Sequence, residues 1–152
     1  KLDSIKKDLV FWEAGAQPPQ LLGSGEVVMT SAYNGRITAA NKTDNRNFKI
    51  AWDAGFVYQI DSWVILKNSD LKEEAVELVA WLTQPEQQKL LPPHIPYGPT
   101  NKKAGELVEP AVLAETPTAP DNLKHGLFYG RDFWVDNVEQ LNERFNSWAA
   151  QP

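Results

Sequence analysis

The sequence predicts an α/β fold, and three observations lead to that prediction. A strand-like run, a helical run and a second strand-like run follow one another between Glu26 and Asp53, in the rhythm of a βαβ unit. A longer strand-like run, Gly55 to Leu66, leads directly into the strongest helical pattern of the chain. The 42% hydrophobic content is sufficient for a packed core in 152 residues. Sheets of this class bind ligands at the carboxyl ends of their strands.

The composition excludes several classes of partner and site. A formal net charge of -5 with no basic run argues against nucleic acid or an anionic membrane and favours small cations. The absence of cysteine excludes disulfides and thiolate metal sites. No run approaches the roughly 18 apolar residues of a membrane helix, and KLDSIKKDL has no signal-peptide core. Because the chain starts at Lys1 with a helix-like sequence, we expect it to begin partway through a longer protein.

The first third of the chain contains two predicted strands. Residues 2–9 are amphipathic, and residues 10–25 are predicted to be a loop because prolines and glycines interrupt them. EVVMTSA, from Glu26 to Ala32, predicts a buried strand, and a short helix is predicted to begin near Asn34. After the turn TDNRN, the run FKIAWD predicts a second strand because its large apolar residues alternate.

The run GFVYQIDSWVIL is a predicted strand that carries one acid, Asp61. An ionised carboxylate that is removed from water costs several kcal/mol unless a cation pairs with it. Strand alternation places Gln59, Asp61 and Trp63 on one face, and Tyr58 and Ile60 on the other. The face that carries Asp61 is therefore predicted to be the wall of a binding site.

The remaining elements are mostly helical. KNSDLKEEAVELVAWLTQPEQQKLL predicts a core-packing helix, with Asp70 and Glu73 as a capping-box-like start and Pro85 at its end. PPHIPYGPTN predicts a loop. Residues 106–131 are predicted to be short pieces broken by proline and glycine, and RDFWVDNVEQLNERFNSWAA predicts a final helix because large apolar residues recur at helical spacing.

The sequence contains no recognisable catalytic motif. Signatures of serine hydrolases, zinc proteases, phosphate-binding loops and dinucleotide-binding folds are all absent. His94 and His125 both lie beside helix-breaking residues, as surface histidines do, and Glu73 and Glu74 fall on the solvent face of a helix. A hydrolase that uses Asp61 with a histidine has no visible nucleophile–base pair. We therefore expect a binding protein without a metal or a cofactor, and not an enzyme.

Polar and aromatic side chains at predicted strand ends and loops form the candidate ligand site. Its residues are Tyr33, Asn34, Arg36, Tyr58, Gln59, Asp61, Trp63, Tyr97 and Trp134. A carboxylate among aromatic rings suits an alkyl ammonium, through a charge-assisted hydrogen bond of roughly 1.5–3 kcal/mol and cation–π contacts of roughly 0.5–2 kcal/mol per ring. Two alternatives remain: Asp61 pairs internally with Arg36, or the aromatic residues are core.

Three segments together resemble bacterial spermidine/putrescine-binding proteins, the periplasmic components of polyamine ABC transporters. GEVVMTSAYNGR is similar to their glycine-acid-strand-aromatic-Asn-Gly segment. FVYQIDSWVILKNSDLKEEAVELVAWLTQPEQQ is similar to their crossover strand, with its Asp, and to the helix that follows and closes in Gln-Pro-Glu. IPYGPTNKKA resembles their loop rich in Tyr and Pro, which ends in Asn. The order and spacing also match, so the resemblance spans nearly the whole chain.

The resemblance implies a type II periplasmic-binding-protein-like fold, in which two α/β lobes close on a ligand without catalysis. It implies a periplasmic protein that captures a polyamine and serves a membrane ABC permease. The resemblance also implies roles for four residues. Tyr33 would stack on the ligand, and Asp61 would hold an amine. Tyr97 would contact the ligand, and Trp134 would lie near a C-terminal polar contact.

Two departures from the family pattern leave room for another ligand. Polyamine binders often carry an aromatic residue two positions before the Asp, where this chain has Gln59, and a polar residue where this chain has Trp134. Both departures are compatible with a different amine. They are also compatible with a carboxylate- or phosphonate-bearing amine that is held partly by Arg36.

The resemblance also implies domain boundaries. Residues 1–60 and 104–152 would belong to the second, C-terminal lobe, and residues 61–103, with the crossover strand, to the first. The N-terminal half of the family would be absent from this chain. The helix from Leu71 to Leu82 would then need the apolar surface of that missing portion or of a complementary chain. The structural alternative is a fragment that binds no ligand.

Overall fold

The computed structural model of the protein describes residues 1–151, which form mainly helices. The helices are α1 (Leu2–Ile5), α2 (Gln17–Ser24), α3 (Asn34–Thr43), α4 (Lys72–Leu82), α5 (Pro85–Gln88), α6 (Lys102–Leu107), α7 (Pro110–Leu113), α8 (Pro120–Leu123) and α9 (Arg131–Ala149). The strands are β1 (Phe56–Tyr58) and β2 (Gly126–Phe128). Short 3₁₀ turns cover Lys6–Asp8 and Trp52–Ala54.

The two strands pair in parallel, as an α/β fold requires. Phe56 lies opposite Gly126, Val57 opposite Leu127 and Tyr58 opposite Phe128. The pairing continues one residue further, because the N–H of Tyr129 donates to the carbonyl oxygen of Tyr58 at 2.8 Å. The long connection between the strands is helical, which is the usual crossover between parallel neighbours. The carboxyl ends of β1 and β2 therefore lie side by side.

Within the described residues 1–151, neither of the two strands predicted before β1 is formed. Residues 26–32 form no strand, and Val28 is 97% exposed instead of buried. Phe48 is held by one side chain: its N–H donates to Oδ1 of Asn41 at 2.8 Å, and its carbonyl oxygen accepts from Nδ2 of Asn41 at 3.0 Å. The predicted strand 48–53 is therefore tied to α3 and does not join a ladder.

The predicted strand from Gly55 to Leu66 is also shorter than expected. Only Phe56–Tyr58 pairs, because β2 extends no further than Phe128. Within residues 1–151, no backbone hydrogen bond involves residues 59–65. The alternating faces predicted for Gln59, Asp61 and Trp63 are therefore not formed.

The segment predicted as a loop at residues 10–25 contains a helix, α2. Pro18 and Pro19 stand in the first turn, where a backbone N–H has no helical partner and its loss costs nothing. The side-chain oxygen of Gln17 accepts from the N–H groups of Glu13 and Ala14, at 2.7 Å each, and fixes the entry to the helix. Gly25, with φ of 77°, ends it.

Three predicted helices are present, but the start of α4 differs from the prediction. The helices near Asn34, over the KEEAVELVAWL run and at the C-terminus are confirmed as α3, α4 and α9. The capping box is wrong, because Leu71 is the N-cap and no side chain caps it. The expectation that α4 packs into the core is also wrong within residues 1–151, since none of its residues is buried.

The proline-rich loop at residues 92–101 is confirmed and is anchored at both ends. Nδ2 of Asn34, at the start of α3, donates to the carbonyl oxygen of Pro96 at 2.6 Å. At the other end Asn101 caps α6 by accepting from the N–H of Lys103 at 3.1 Å, and its own N–H donates to Oε1 of Gln88 at 2.9 Å. The buried apolar core is small and lies near this loop and α3. Its residues are Ile37, Ala40, Ala104, Val108 and Ala119.

The two ends of the chain contact each other. Nζ of Lys6 donates to the carbonyl oxygens of Trp148 and Gln151, at the end of α9, and lies 5.0 Å from the Trp148 ring centroid. Nε1 of Trp148 donates to Oδ1 of Asp3 at 2.6 Å. The ring of Phe11 meets that of Trp148 edge-on at 5.9 Å. α1 is thereby fixed against α9.

Candidate functional site

The start of α3 and the proline-rich loop bring three of the predicted site residues close to one another. Tyr33 is the extended N-cap residue of α3, and its exposed ring meets Trp12 edge-on at 6.3 Å between centroids. Asn34 holds the loop through Pro96. Gly35 is buried so closely under the loop that a Cβ there would lie 2.9 Å from Cε1 of Tyr97. Tyr33, Asn34 and Tyr97 thus lie at one junction, with both tyrosines exposed.

A second group of predicted residues lies at the carboxyl ends of the two strands. The ring of Tyr58 lies 5.4 Å from that of Phe128 between centroids. Trp134, in the first turn of α9, stacks on Tyr129 at 4.6 Å with an interplanar angle of 8°. The hydrogen bond from Tyr129 to the Tyr58 carbonyl links the two aromatic pairs. Tyr58 and Trp134 are therefore connected by Phe128 and Tyr129, whose rings pack on them.

Phe128 and Tyr129 contact the predicted site residues Tyr58 and Trp134, and the sequence analysis did not predict them as part of the candidate site. They belong to GLFYG, a run of apolar and aromatic residues between glycines that lies just before the final helical pattern. That arrangement is a strand-then-helix signal. This signal is easily missed in the sequence, because the flanking prolines favour an interpretation of residues 106–131 as irregular.

Asp61 and its expected neighbours do not form a wall in this structure. Gln59 and Asp61 are exposed, and Trp63 is 70% exposed. Among residues 1–151 the ion pairs are Lys124 with Asp121 and Arg131 with Asp132, so Asp61 is not neutralised by Arg36. Asp61 is a solvated carboxylate, which answers how the segment tolerates an acid.

Arg36 faces a different region. It lines an open depression of about 510 Å³ between α2 and α3, together with Arg46, Thr43 and Asp44. Both guanidinium groups belong to exposed residues. The depression has two fixed positive charges and one carboxylate, which suits an anionic group better than an amine.

The described residues contain no cluster of three or more His, Cys, Asp or Glu side chains that could hold a metal ion. Across residues 1–151, none of the helices combines the length and the apolar character needed to cross a bilayer. The hydrogen bond from Lys124, and its charge, lower the pKa of Asp121. That exposed pair joins Asp121 of α8 to the C-cap residue of the same helix, Lys124.

A family model for bacterial extracellular solute-binding proteins matches residues 1–121. The chain belongs to this family. Membership agrees with the expectation of a binding protein and not an enzyme, since the family is one of solute-binding proteins. The resemblance to solute-binding proteins is confirmed at this level, whereas the narrower assignment to polyamine-binding proteins is not confirmed.

The chain matches a little less than half the length of each of two similar proteins. A gamma-aminobutyric acid-binding protein of Pseudomonas aeruginosa is 44% identical over 151 residues, which are 99% of this chain and 42% of the relative. The crystal structure of an ABC transporter substrate-binding protein from Bradyrhizobium japonicum superposes with a TM-score of 0.82 at 30% identity, over 99% of this chain and 47% of that one.

Two further solved structures of similar proteins contain a bound ligand. The periplasmic binding protein AgtB of A. tumefaciens R10, in complex with agropinic acid, superposes with a TM-score of 0.76 at 28% identity, over 99% of this chain and 47% of that one. MotA of A. tumefaciens B6, in complex with glucopine, gives 0.75 at 28% identity, over 96% and 46%. The periplasmic-binding-protein fold predicted for this chain, present in part, is thereby confirmed. The chain spans less than half the length of the relatives it matches.

Proposed function

We propose that the protein is the solute-binding component of an ABC importer, located in the periplasm, and that it captures a small zwitterion with an amine and a carboxylate. The observation that carries the proposal is the 44% identity, over nearly the whole chain, to a protein that binds gamma-aminobutyric acid. That solute has an ammonium at one end and a carboxylate at the other. The proposal keeps the amine predicted for Asp61 and adds an anionic group, for which the chain offers Arg36.

Asp61 is proposed to bind the ammonium group. Its carboxylate is exposed and has no ion-pair partner within residues 1–151, so it can accept charge-assisted hydrogen bonds from a ligand. Trp63, two residues further on, is exposed and offers a ring for a cation–π contact. Gln59 supplies an amide on the same segment. These groups converge only if the segment becomes ordered as a strand, as we expect when lobes close on a ligand.

The carboxylate end is proposed to lie at the start of α3. Arg36 stands in the first turn of that helix, and a guanidinium binds a carboxylate with two parallel hydrogen bonds. The exposed rings of Tyr33 and Tyr97 flank this turn and would cover the methylene groups of the ligand. Tyr58 and Trp134, at the strand ends, are proposed to complete the aromatic lining.

We assign residues 1–60 and 104–152 to the second lobe and residues 61–103 to the first. The pairing of β1 with β2 and the contact of α1 with α9 both join segments that this assignment places in the second lobe. The contacts of Asn34 and Gly35 with the proline-rich loop then cross from one lobe to the other. A ligand at this junction would be enclosed by both lobes.

A polyamine is the second candidate, and the unpaired carboxylate of Asp61 with the net charge of -5 favours it. Calorimetric titration of the protein that contains this chain separates the candidates, using gamma-aminobutyric acid, putrescine, spermidine, agropinic acid and glucopine. We expect gamma-aminobutyric acid to bind at least about tenfold more tightly than either polyamine, since a diamine leaves the guanidinium unpaired. Tighter binding of putrescine or spermidine would select the polyamine, and no heat with any solute would select the non-binding fragment.

The role of Arg36 has its own test. Arg36→Ala is expected to weaken the binding of gamma-aminobutyric acid by at least about tenfold. Arg144→Ala is the matched control, because it removes an exposed arginine from α9, outside the depression that Arg36 lines. An unchanged affinity in Arg36→Ala would contradict the proposed carboxylate contact and leave the amine contact to be judged separately.

A further inference from the structure

The segment that leads into α2 contacts the ring of Tyr33. The backbone of Tyr33 is fixed at the start of α3, because its carbonyl oxygen accepts from the N–H of Arg36 at 2.9 Å. The ring of Trp12 meets the Tyr33 ring edge-on, with 6.3 Å between centroids and an interplanar angle of 68°. Tyr33 nevertheless remains 55% exposed. Part of its ring therefore contacts the protein, and the remainder is open to a ligand.

Gly15 lies against the same ring. A Cβ at this position would be 3.1 Å from Cδ2 and 3.2 Å from Cε2 of Tyr33. A side chain at this position would therefore push the ring away, as overpacking does elsewhere. The φ of Gly15 is not positive, so its backbone conformation is open to other residues. The glycine matters here for the space that it leaves to the ring.

Hydrogen bonds hold the segment that carries these two contact residues. Oε1 of Gln17 accepts from the N–H groups of Glu13 and Ala14, at 2.7 Å each, and both of these residues lie between the contact residues in the chain. Nε1 of Trp12 donates to Oγ of Ser31 at 3.3 Å, two residues before the tyrosine. The indole is therefore tied to the same segment that carries the Tyr33 ring.

We propose that Trp12 and Gly15 are positioning residues of the ligand site, which hold the Tyr33 ring at the angle at which it covers the methylene groups of the solute. This proposal rests on the proposed function, in which Tyr33 lines the site for a small zwitterion. A ring that is fixed before binding loses little freedom when the solute arrives, so more of its contact energy appears as affinity.

A fixed ring also gives the site a preference for chain length. Each methylene group that leaves water adds to the affinity. Gamma-aminobutyric acid has more methylene groups than β-alanine or glycine, although all three solutes carry the same ammonium and carboxylate groups. Trp12 and Gly15 thereby favour the longest of the three solutes through the ring of Tyr33.

Calorimetric titration of the protein that contains this chain tests the chain-length preference. Trp12→Leu is expected to weaken the binding of gamma-aminobutyric acid at least about threefold, in line with the loss of an aromatic pair. The binding of β-alanine and glycine, measured directly or by displacement, should weaken less. A general loss of folding would lower all three affinities by the same factor, so the ratio of affinities separates positioning from a structural role.

Three further variants separate the contacts. Gly15→Ala displaces the ring while Trp12 stays in place, and it is also expected to weaken the binding of gamma-aminobutyric acid at least about threefold. Trp12→Phe keeps an aromatic edge and should recover most of the affinity. Phe11→Leu is the matched control and should bind as the parent does, because the Phe11 ring meets Phe145 and Trp148 instead.

A double-mutant cycle of Trp12→Leu with Tyr33→Leu decides whether Trp12 acts through the Tyr33 ring. The double variant is expected to bind gamma-aminobutyric acid about as weakly as Tyr33→Leu alone. Fully additive losses would overturn the positioning role and leave the proposed function intact, and so would parent-like affinity in both Trp12→Leu and Gly15→Ala. Unchanged affinity in Tyr33→Leu would remove Tyr33 from the site and overturn the proposal. A parent protein that binds no gamma-aminobutyric acid would overturn the proposed function with it.

Discussion

Gly35 is the residue at which the start of α3 and the proline-rich loop approach most closely. A methyl group there would lie 2.9 Å from Cε1 of Tyr97 and 3.1 Å from Cγ1 of Ile95. Gly35→Ala is therefore expected to push the loop away and destabilise the protein by about 1–2 kcal/mol, as overpacking does. Chemical denaturation measures the change in the free energy of unfolding.

Gly105 provides the opposite case and serves as the control. It lies inside α6, and a Cβ there meets nothing within 4 Å. Gly105→Ala should stabilise the protein by about 0.5–1 kcal/mol, because alanine loses less backbone freedom on entering a helix. Changes of the same sign in both variants would contradict the described contact between Gly35 and Tyr97.

Individual site residues were predictable as types but not as a constellation. The sequence places an acid among aromatic residues, and Asp61 is indeed unpaired within residues 1–151. The alternation of Gln59, Asp61 and Trp63 depended on a strand that ends at Tyr58. Orientation on a strand is fixed by its partners, so a face cannot be inferred for residues 59–65, which have no strand partner within residues 1–151.

At the scale of elements, the end of α9 is fixed by a residue from the opposite end of the chain. Lys6 donates to two carbonyl oxygens at the end of the helix, where the helix dipole favours a cation. Lys6→Met is expected to destabilise the protein by about 1 kcal/mol, whereas Lys7→Met, an exposed neighbour, should change little. Equal melting temperatures for the two variants, measured by circular dichroism, would contradict this capping role.

Asn41 substitutes for a strand partner at Phe48. Its amide both donates to and accepts from the Phe48 backbone, which holds residues 48–50 against α3. Asn41→Ala should cost about 1–3 kcal/mol by leaving two backbone groups unsatisfied. Asn41→Leu, which is close to asparagine in size and can neither donate nor accept, should be destabilised about as much as Asn41→Ala in thermal denaturation. Stability of Asn41→Leu equal to that of the parent would assign the effect to packing alone.

Helices were predicted better than strands for a physical reason. Local sequence patterns predict α3, α4 and α9, because a helix satisfies its own backbone hydrogen bonds. Strands at residues 26–32 and 48–53 carry the right propensity, but a ladder needs a neighbour that the sequence does not specify. The missed helix α2 has its prolines in the one turn that tolerates them, which composition alone hides.

At the scale of the whole molecule, the resemblance predicted the family and the partial fold. It did so through the order of three segments, and the family match over residues 1–121 confirms the solute-binding family. The identity of the ligand was harder to predict. A binding site between two lobes is built from both of them, and the chain spans 42% of its gamma-aminobutyric acid-binding relative. A ligand that bridges two lobes would also stabilise them together, by about 2.7 kcal/mol at a hundred times its dissociation constant.

The most direct test of the proposed function is calorimetric titration of gamma-aminobutyric acid into the Asp61→Asn variant of the protein that contains this chain. Removal of the charge that is proposed to hold the ammonium is expected to weaken binding by at least about tenfold. The melting temperature of the ligand-free protein is expected to stay the same, because Asp61 is exposed. Asp70→Asn, which removes an exposed carboxylate that caps no helix, is the matched control and should bind as the parent does. Undiminished affinity in Asp61→Asn would contradict the account.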